Sequence, residues 1–397
     1  MNEPICMLPR RRFLQWTAAC TAIAACGSAE LAFADAATPR ASYGNLLVLV
    51  ELKGGNDGFN TLVPYTDAAY YTLRPKLAIA RDAVVQLTDR AGMHPSMAPL
   101  NALWADGQLA VLQGVGYPEP NLSHFRSIEI WDTASRSSEY LQDGWLTRAF
   151  AAAPTPSAYA ADGVIIGSND MGPLAGGGTR AIALADTNRF VARAGLAHLE
   201  SARGSEALRH ILKTEGDIVQ AAAKLDNGHD FAAVFPATPF GSAIKTACRV
   251  VSNRASVAAV RVTLNGFDTH SGQPATQSRL LGEFAQGIVA LRAGLQEIDR
   301  WNSTLVLTYA EFGRRPQENL SMGTDHGTAN VHFAAGGRVV GGMYGEAPSL
   351  AGLAANGNVA HAIDFRRVYA TALDQWWHVD SRAALGARFA PLPFLKT

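Results

Sequence analysis

Five runs of apolar, often β-branched residues recur along the chain: LLVLVEL (Leu46–Leu52), LAVLQGV (Leu109–Val115), GVIIGS (Gly163–Ser168), VAAVRVTL (Val257–Leu264) and STLVLTYA (Ser303–Ala310). They are nearly continuous rather than alternating, as strands buried on both faces of a sheet are. Between them the apolar spacing becomes helical. Gln277–Trp301 is the clearest case, with Leu280, Leu281, Phe284, Ile288, Leu291, Leu295 and Ile298 on one face. Ser96–Asp106 reads as a shorter helix stopped by Gly107, and further helices are expected around Ser205–Leu225 and Asp364–Trp377. Strands alternating with helices predict an α/β fold, a three-layer sandwich with a mainly parallel central sheet. After about Gly336 the glycine-rich chain predicts edge strands and loops before a final helix, and ARFAPLPFLKT predicts a proline-interrupted tail packed on the body.

Composition narrows the class. At 48% hydrophobic and 17% charged, the 397 residues can bury a large core and do not have the make-up of a disordered chain. Lys plus Arg and Asp plus Glu are equal at 34 each, so no basic surface points to nucleic acid.

The N-terminal segment has the form of an export signal. PRRRFLQ (Pro9–Gln15) precedes the uncharged WTAACTAIAACGSA (Trp16–Ala29), an apolar run shorter than the ~20 helical residues a bilayer needs. Arg10, Arg11, Phe13 and Leu14 resemble the twin-arginine motif, which implies the twin-arginine export machinery and a periplasmic or exported destination. Two processing sites compete. Ala32-Phe33-Ala34 fits a peptidase site before Asp35, dividing the chain into a signal at 1–34 and one α/β domain at 35–397. Ile23-Ala24-Ala25-Cys26 resembles a lipobox, which would leave a lipid anchor on Cys26. No later stretch reaches transmembrane length. Cys6, Cys20 and Cys26 lie in the signal, so Cys248 alone is left and no disulfide framework is expected. In KTACRVVSNR it reads as a small buried hydrophobe.

In parallel sheets ligands bind at the carboxyl ends of strands. The first run ends in GGNDG with Asp57, and the second leads to GYPEPNLSHFRS with Ser123, His124 and Arg126. VAAVRVTL leads to NGFDTH with Asp268 and His270. STLVLTYA leads to EFGRR with Glu311 and Arg314, and then to GTDHGTANVHF with Asp325, His326 and His332. Each has a plainer reading. Asp57-Gly58 is a common turn dipeptide, Asp268-x-His270 can be a helix cap, Asp325-His326-Gly327 can be a turn, and His94 reads as a loop histidine. Glu311 directly after an apolar strand needs a partner. Together, carboxylates and imidazoles on one rim raise the expectation of a divalent metal.

Ser123 precedes the helical pattern HFRSIEIWDTA and can serve simply as its N-cap. The same position suits a nucleophile, because a helix N-terminus favours an anion and a metal can lower the hydroxyl pKa. Arg126, one turn on, is either an anion-binding group or half of a surface salt bridge.

The motifs KGGNDGFNTLVPY, HPSMAPLNALWADGQLAVLQGVGYP, LSHFRS, FDTHSGQ, EFGRRPQEN and GTDHGTANVHF resemble the bacterial domain-of-unknown-function family numbered 1501. That family looks like a branch of the alkaline-phosphatase-like superfamily of phosphatases, sulfatases, phosphodiesterases and phosphoglycerate mutases. The resemblance implies metal ligands at Asp57, Asp268, His270, Glu311 and His326, with Asp325 as a further candidate, and a nucleophile at Ser123. His124, Arg126 and Arg314 would bind the anion. There are departures. One residue separates Asp268 from His270 where the superfamily places three, and Glu311-Phe312 replaces an Asp-His pair. The Cys-x-Pro-x-Arg signature of sulfatases is absent, which weakens a sulfatase reading. The expected cofactor is a divalent metal (zinc, calcium or magnesium), with a metal-free protein still open.

Two functions follow from this reading. The first is an exported metal-dependent hydrolase of phosphate or sulfate esters that uses a serine nucleophile. The alternative is a non-catalytic cell-envelope protein that keeps the fold and binds a glycan, polymer or partner.

Overall fold

Side chains of the strand Leu46–Lys53 alternate between two cores. Leu46, Val48, Val50 and Leu52 face one hydrophobic cluster, and Leu47 and Leu49 face the other. This period of two, with both faces apolar, makes the run nearly continuous in sequence. The computed structural model describes residues 41–184, 229–252 and 257–396. The export signal, both processing sites, Cys6, Cys20, Cys26 and the helix expected at Ser205–Leu225 lie outside the described residues.

In chain order the strands are β1 (Leu46–Lys53), β2 (Leu62–Val63), β3 (Val85–Gln86), β4 (Gly92–Met93), β5 (Leu109–Gly116), β6 (Gly163–Ile166), β7 (Ala181–Leu184), β8 (Ala259–Asn265), β9 (Thr304–Tyr309), β10 (Gly313–Glu318), β11 (Thr324–Gly327), β12 (Asn330–Ala335), β13 (Gly342–Tyr344) and β14 (Ile363–Asp364). The main sheet runs β13-β5-β12-β9-β1-β8-β6-β7, with β14 added beside β5. β1 pairs in parallel with β8 and β9, while β12 is antiparallel to both β5 and β9. The sheet is therefore mainly parallel, as the apolar runs predict. β10 and β11 form a separate antiparallel pair, and β2, β4 and β3 a small sheet.

Helices cover both faces. The helices Pro239–Ser252 and Gln273–Glu297 pack on one core through Phe240, Ile244, Leu281, Phe284 and Ile288. The helices His124–Thr133 and Trp145–Ala152, with the helical segment Phe365–Trp377, pack on the other through Trp131, Trp145, Tyr369 and Trp377. Cys248 is buried in the first core, and burial pushes its thiol up to about 12. The tail packs as expected, with Leu392, Phe394 and Leu395 buried.

Several elements differ from the sequence reading. The long helix begins at Gln273 rather than Gln277, with proline in its first turn, where the missing N–H has no intrahelical role. The expected helix at Ser96–Asp106 splits into a 3-10 turn, Pro95–Leu100, and an α-helix, Asn101–Ala105, because Pro99 cannot donate within it. β12, which starts within the GTDHGTANVHF segment and runs on to Ala335, is a fully buried strand that the apolar pattern did not single out.

Candidate metal centre

The carboxyl ends of β1, β8 and β9 bring three loops into contact. After β1 the backbone turns at Gly54 and Gly55, both at positive φ (115° and 74°). A Cβ on Gly54 would overlap the Asp268 backbone nitrogen, so this close approach requires glycine. The Gly54 N–H donates to both oxygens of Glu311, at 3.0 and 3.1 Å. Arg314, buried beneath the loops, donates to the carbonyls of Gly54, Gly55, Phe267 and Thr324 and to Asp268 Oδ1 at 2.7 Å. One guanidinium thus ties the ends of β1 and β8 to the β10–β11 hairpin.

On this platform His124, Asp268, His270 and His326 each present one ligand atom, and these four atoms lie within 4.8 Å of one another. The convergent atoms are the three Nε2 nitrogens and Asp268 Oδ1. Asp268 Oδ1 is 3.4 Å from His124 Nε2, 3.1 Å from His270 Nε2 and 3.5 Å from His326 Nε2. His270 Nε2 and His326 Nε2 are 2.9 Å apart.

The far sides of two rings are held by hydrogen bonds, and the third has a carboxylate nearby. His124 Nδ1 lies 2.8 Å from Glu311 Oε1, His326 Nδ1 lies 2.7 Å from the Leu122 carbonyl, and His270 Nδ1 is 3.8 Å from Asp325 Oδ1. For His124 and His326 an acceptor bonded at Nδ1 fixes the tautomer that turns an Nε2 lone pair inward, the usual outer layer of a histidine metal site. Facing lone pairs repel, so the centre calls for a cation or a proton between them. Phe312 packs against the rings of His124 and His326 at 4.8 and 4.3 Å.

Electrostatics agree with this geometry. The hydrogen bond to Glu311 raises the His124 pKa against the effect of its partial burial. Desolvation lowers that of His326. For Asp268 desolvation acts upward, but the hydrogen bond and charge of Arg314, with His124 and His270, leave the carboxyl below its usual value. Three imidazoles and one carboxylate suit a borderline ion such as zinc, and not the all-oxygen shells of calcium or magnesium.

Some residues singled out in the sequence stand elsewhere. Asp57 is outside the cluster, because both its oxygens are occupied. Oδ1 accepts from Phe59 N and Arg74 Nη2, and Oδ2 accepts from Arg74 Nη1 and Gln273 Nε2. Glu311 stands behind His124, and Asp325 behind His270. Arg126 turns away to the Arg136, Ser137 and Glu139 carbonyls and stacks on Tyr140. Arg314 is buried, and each of its nitrogens donates to a protein acceptor, so it serves to tie the loops together rather than standing open to an anion. His124 moves the other way, from the anion-binding set into the metal cluster. Ser123 is exposed at the N-cap, with no side-chain cap bond. Sequence reasoning missed Arg74, Gln273 and the Leu122 carbonyl, each of which acts through a contact distant in the chain. Once Asp57 is known to be buried, its need for a cation points to Arg74.

The family profile described as a protein of unknown function, DUF1501, matches residues 45–386. The chain belongs to this family. No curated protein matches it. Among solved structures it is similar to the lipoteichoic acid synthase LtaP from Listeria monocytogenes, at 9% identity and a TM-score of 0.35, covering 76% of this chain and 66% of that one. It is also similar to the C-terminal periplasmic domain of EcEptC from Escherichia coli in complex with Zn, at 9% identity and a TM-score of 0.38, covering 75% of each chain. A third is a TAB5 alkaline phosphatase mutant with Mg bound, at 9% identity and a TM-score of 0.35, covering 76% of this chain and 94% of that one. These structural likenesses are distant.

Proposed function

We propose that this chain is a metal-dependent hydrolase of phosphate or sulfate esters, working at the centre formed by His124, Asp268, His270 and His326. The observation that carries this reading is the convergence of three Nε2 atoms on Asp268 Oδ1, with Nδ1 of His124 and of His326 each hydrogen-bonded to an acceptor behind the ring. A divalent ion bound there would polarise the ester and favour ionisation of the attacking group. The protein's own residues supply the rest. Glu311 and the Leu122 carbonyl orient two of the rings, and Arg314 holds Asp268 ionised. Ser123, beside His124 at a helix start, would act as the nucleophile. Its hydroxyl makes no cap bond, so the first N–H groups of the helix are left for an ester oxygen. Asp268 and His270 are about half exposed, which leaves the centre open to substrate.

Elemental analysis of the purified chain should find about one zinc per molecule, lost in His270→Ala. A panel of aryl phosphates, phosphodiesters and sulfates should show turnover that chelation abolishes and zinc restores. Zinc content unaffected by His270→Ala would overturn the centre.

A second reading, a binding protein that keeps the site without turnover, is favoured by the commitment of Asp57 to Arg74. Bound metal with no turnover across the panel would select it. Export belongs to the same proposal, on the strength of PRRRFLQ and the apolar run behind it. N-terminal sequencing should find a start at Asp35 or at a lipidated Cys26, and an intact leader on the cellular protein would reject export.

A further inference from the structure

A cavity of about 610 Å³, sharing no residue with the metal centre, lies between the small β2-β4-β3 sheet and the β5, β12 and β13 edge of the main sheet. That volume falls within the ~300–1,000 Å³ usual for small-molecule sites. Its walls are apolar, formed chiefly by Phe59, Leu62, Ala329, Val331 and Met343. One polar side chain projects from the middle of a strand. Gln113 is 8% exposed, the sole polar side chain in the fully buried β5 sequence LAVLQGVG.

Its position is a built feature. Leu112 pairs with His332 and Val115 with Asn330, so Gln113 and Gly114 together oppose Val331 in a β-bulge, with Gly114 at φ 62°. Bulges re-aim a side chain out of the regular pleat. The Gln113 amide makes one side-chain hydrogen bond, from Nε2 to the Gly345 carbonyl at a long 3.4 Å. With Nε2 turned to the Gly345 carbonyl, Oε1 accepts no hydrogen bond from the described residues and faces the cavity, where a ligand donor can take the place of water. The other amide in the wall, Asn330, is committed at both ends, to the Phe312 carbonyl and to Val331 N–H.

We propose that this cavity binds a neutral, mainly apolar small molecule through one hydrogen-bond donor presented to Gln113 Oε1. Charge in the ligand is disfavoured because the ionisable lining groups, Asp67, Asp89 and Arg90, are not among the buried residues, so none of the described lining residues offers a buried counter-ion. The loop through Ala347, Pro348 and Ser349 forms one side of the mouth.

The test uses the full chain and the fluorescent probe N-phenyl-1-naphthylamine, which is neutral, apolar and carries one N–H. Saturable binding of one equivalent is expected, unchanged by a metal chelator. The N-methylated probe, lacking the donor, should bind about fivefold more weakly, the share of one hydrogen bond. Gln113→Leu should erase that preference. Ala347→Trp, at the exposed mouth, should block both probes. Non-saturable binding, equal affinity of the two probes for the natural chain, or full binding by Ala347→Trp would each overturn the proposal. The two-probe comparison needs no variant to fold.

Discussion

Asp57 and Arg74 form a fully buried, two-pronged ion pair, with Arg74 Nη1 2.5 Å from Asp57 Oδ2 and Nη2 2.9 Å from Oδ1. The sequence puts Asp57 at a strand end in a place suited to a metal ligand, yet the fold uses it as a structural anchor. Arg74 also reaches the Arg315 and Pro316 carbonyls, fastening the β10 strand. Removing one partner of such a pair strands a buried charge. Arg74→Ala should therefore lower unfolding stability by about 3–5 kcal/mol in urea titration. An unchanged midpoint would show that the pair contributes little.

Glu311 touches the centre only through His124 Nδ1. Outer-layer partners of this kind tune affinity without binding metal. Glu311→Gln should weaken zinc about 10–100-fold in a chelator competition. His326→Ala should remove a ligand outright. Equal affinity of Glu311→Gln and the natural chain would mean that the carboxylate serves only to hold Gly54.

Metal removal should be visible in stability. Zinc at about 100 times its dissociation constant should add about 2.7 kcal/mol if it binds the folded chain alone. Thermal melts with zinc and with chelator should differ accordingly, and the difference should vanish in His270→Ala. Identical melts would leave the centre without its ion.

Ser123→Ala separates nucleophile from cap. Because the hydroxyl makes no cap bond, little stability should be lost, and zinc content should stay the same. Turnover of the best ester should fall at least about 100-fold, as loss of a group acting only in the transition state requires. Full turnover in this variant would reassign the attack to water.

Two buried histidines set an acid limit. Burial depresses His332 to about 3, and burial outweighs the pull of Asp57 to depress His94 to about 4, against an ordinary 6.5. Between those values the unfolded chain binds protons that the folded chain refuses. Their contribution is fully present above about pH 6.5 and is lost as pH falls toward the folded values. Each group adds a slope of up to about 1.4 kcal/mol per pH unit in that window. Denaturant titrations from pH 7 to pH 4.5 should show the decline, with a shallower slope in His332→Gln. An identical slope in that variant would remove His332 from the account.

The apolar runs and the helical period by themselves determined the architecture. A strand such as Leu46–Lys53 must be apolar on both faces to sit between two helical layers, and that demand is written locally. The strand-end rule likewise marked His270, His326 and Asp268, because loop chemistry collects where parallel strands finish. Tertiary structure decided which of the marked residues meet. Asp57 and Glu311 follow similar apolar strands, yet one faces Arg74 and the other His124. Those partners come from positions 17 residues downstream and 187 residues upstream, respectively. His124 joined the cluster because a helix after β5 starts beside the β10–β11 hairpin. The Gln113 bulge depends on how β12 pairs with β5. Contacts between distant segments arise from packing, which no local pattern encodes.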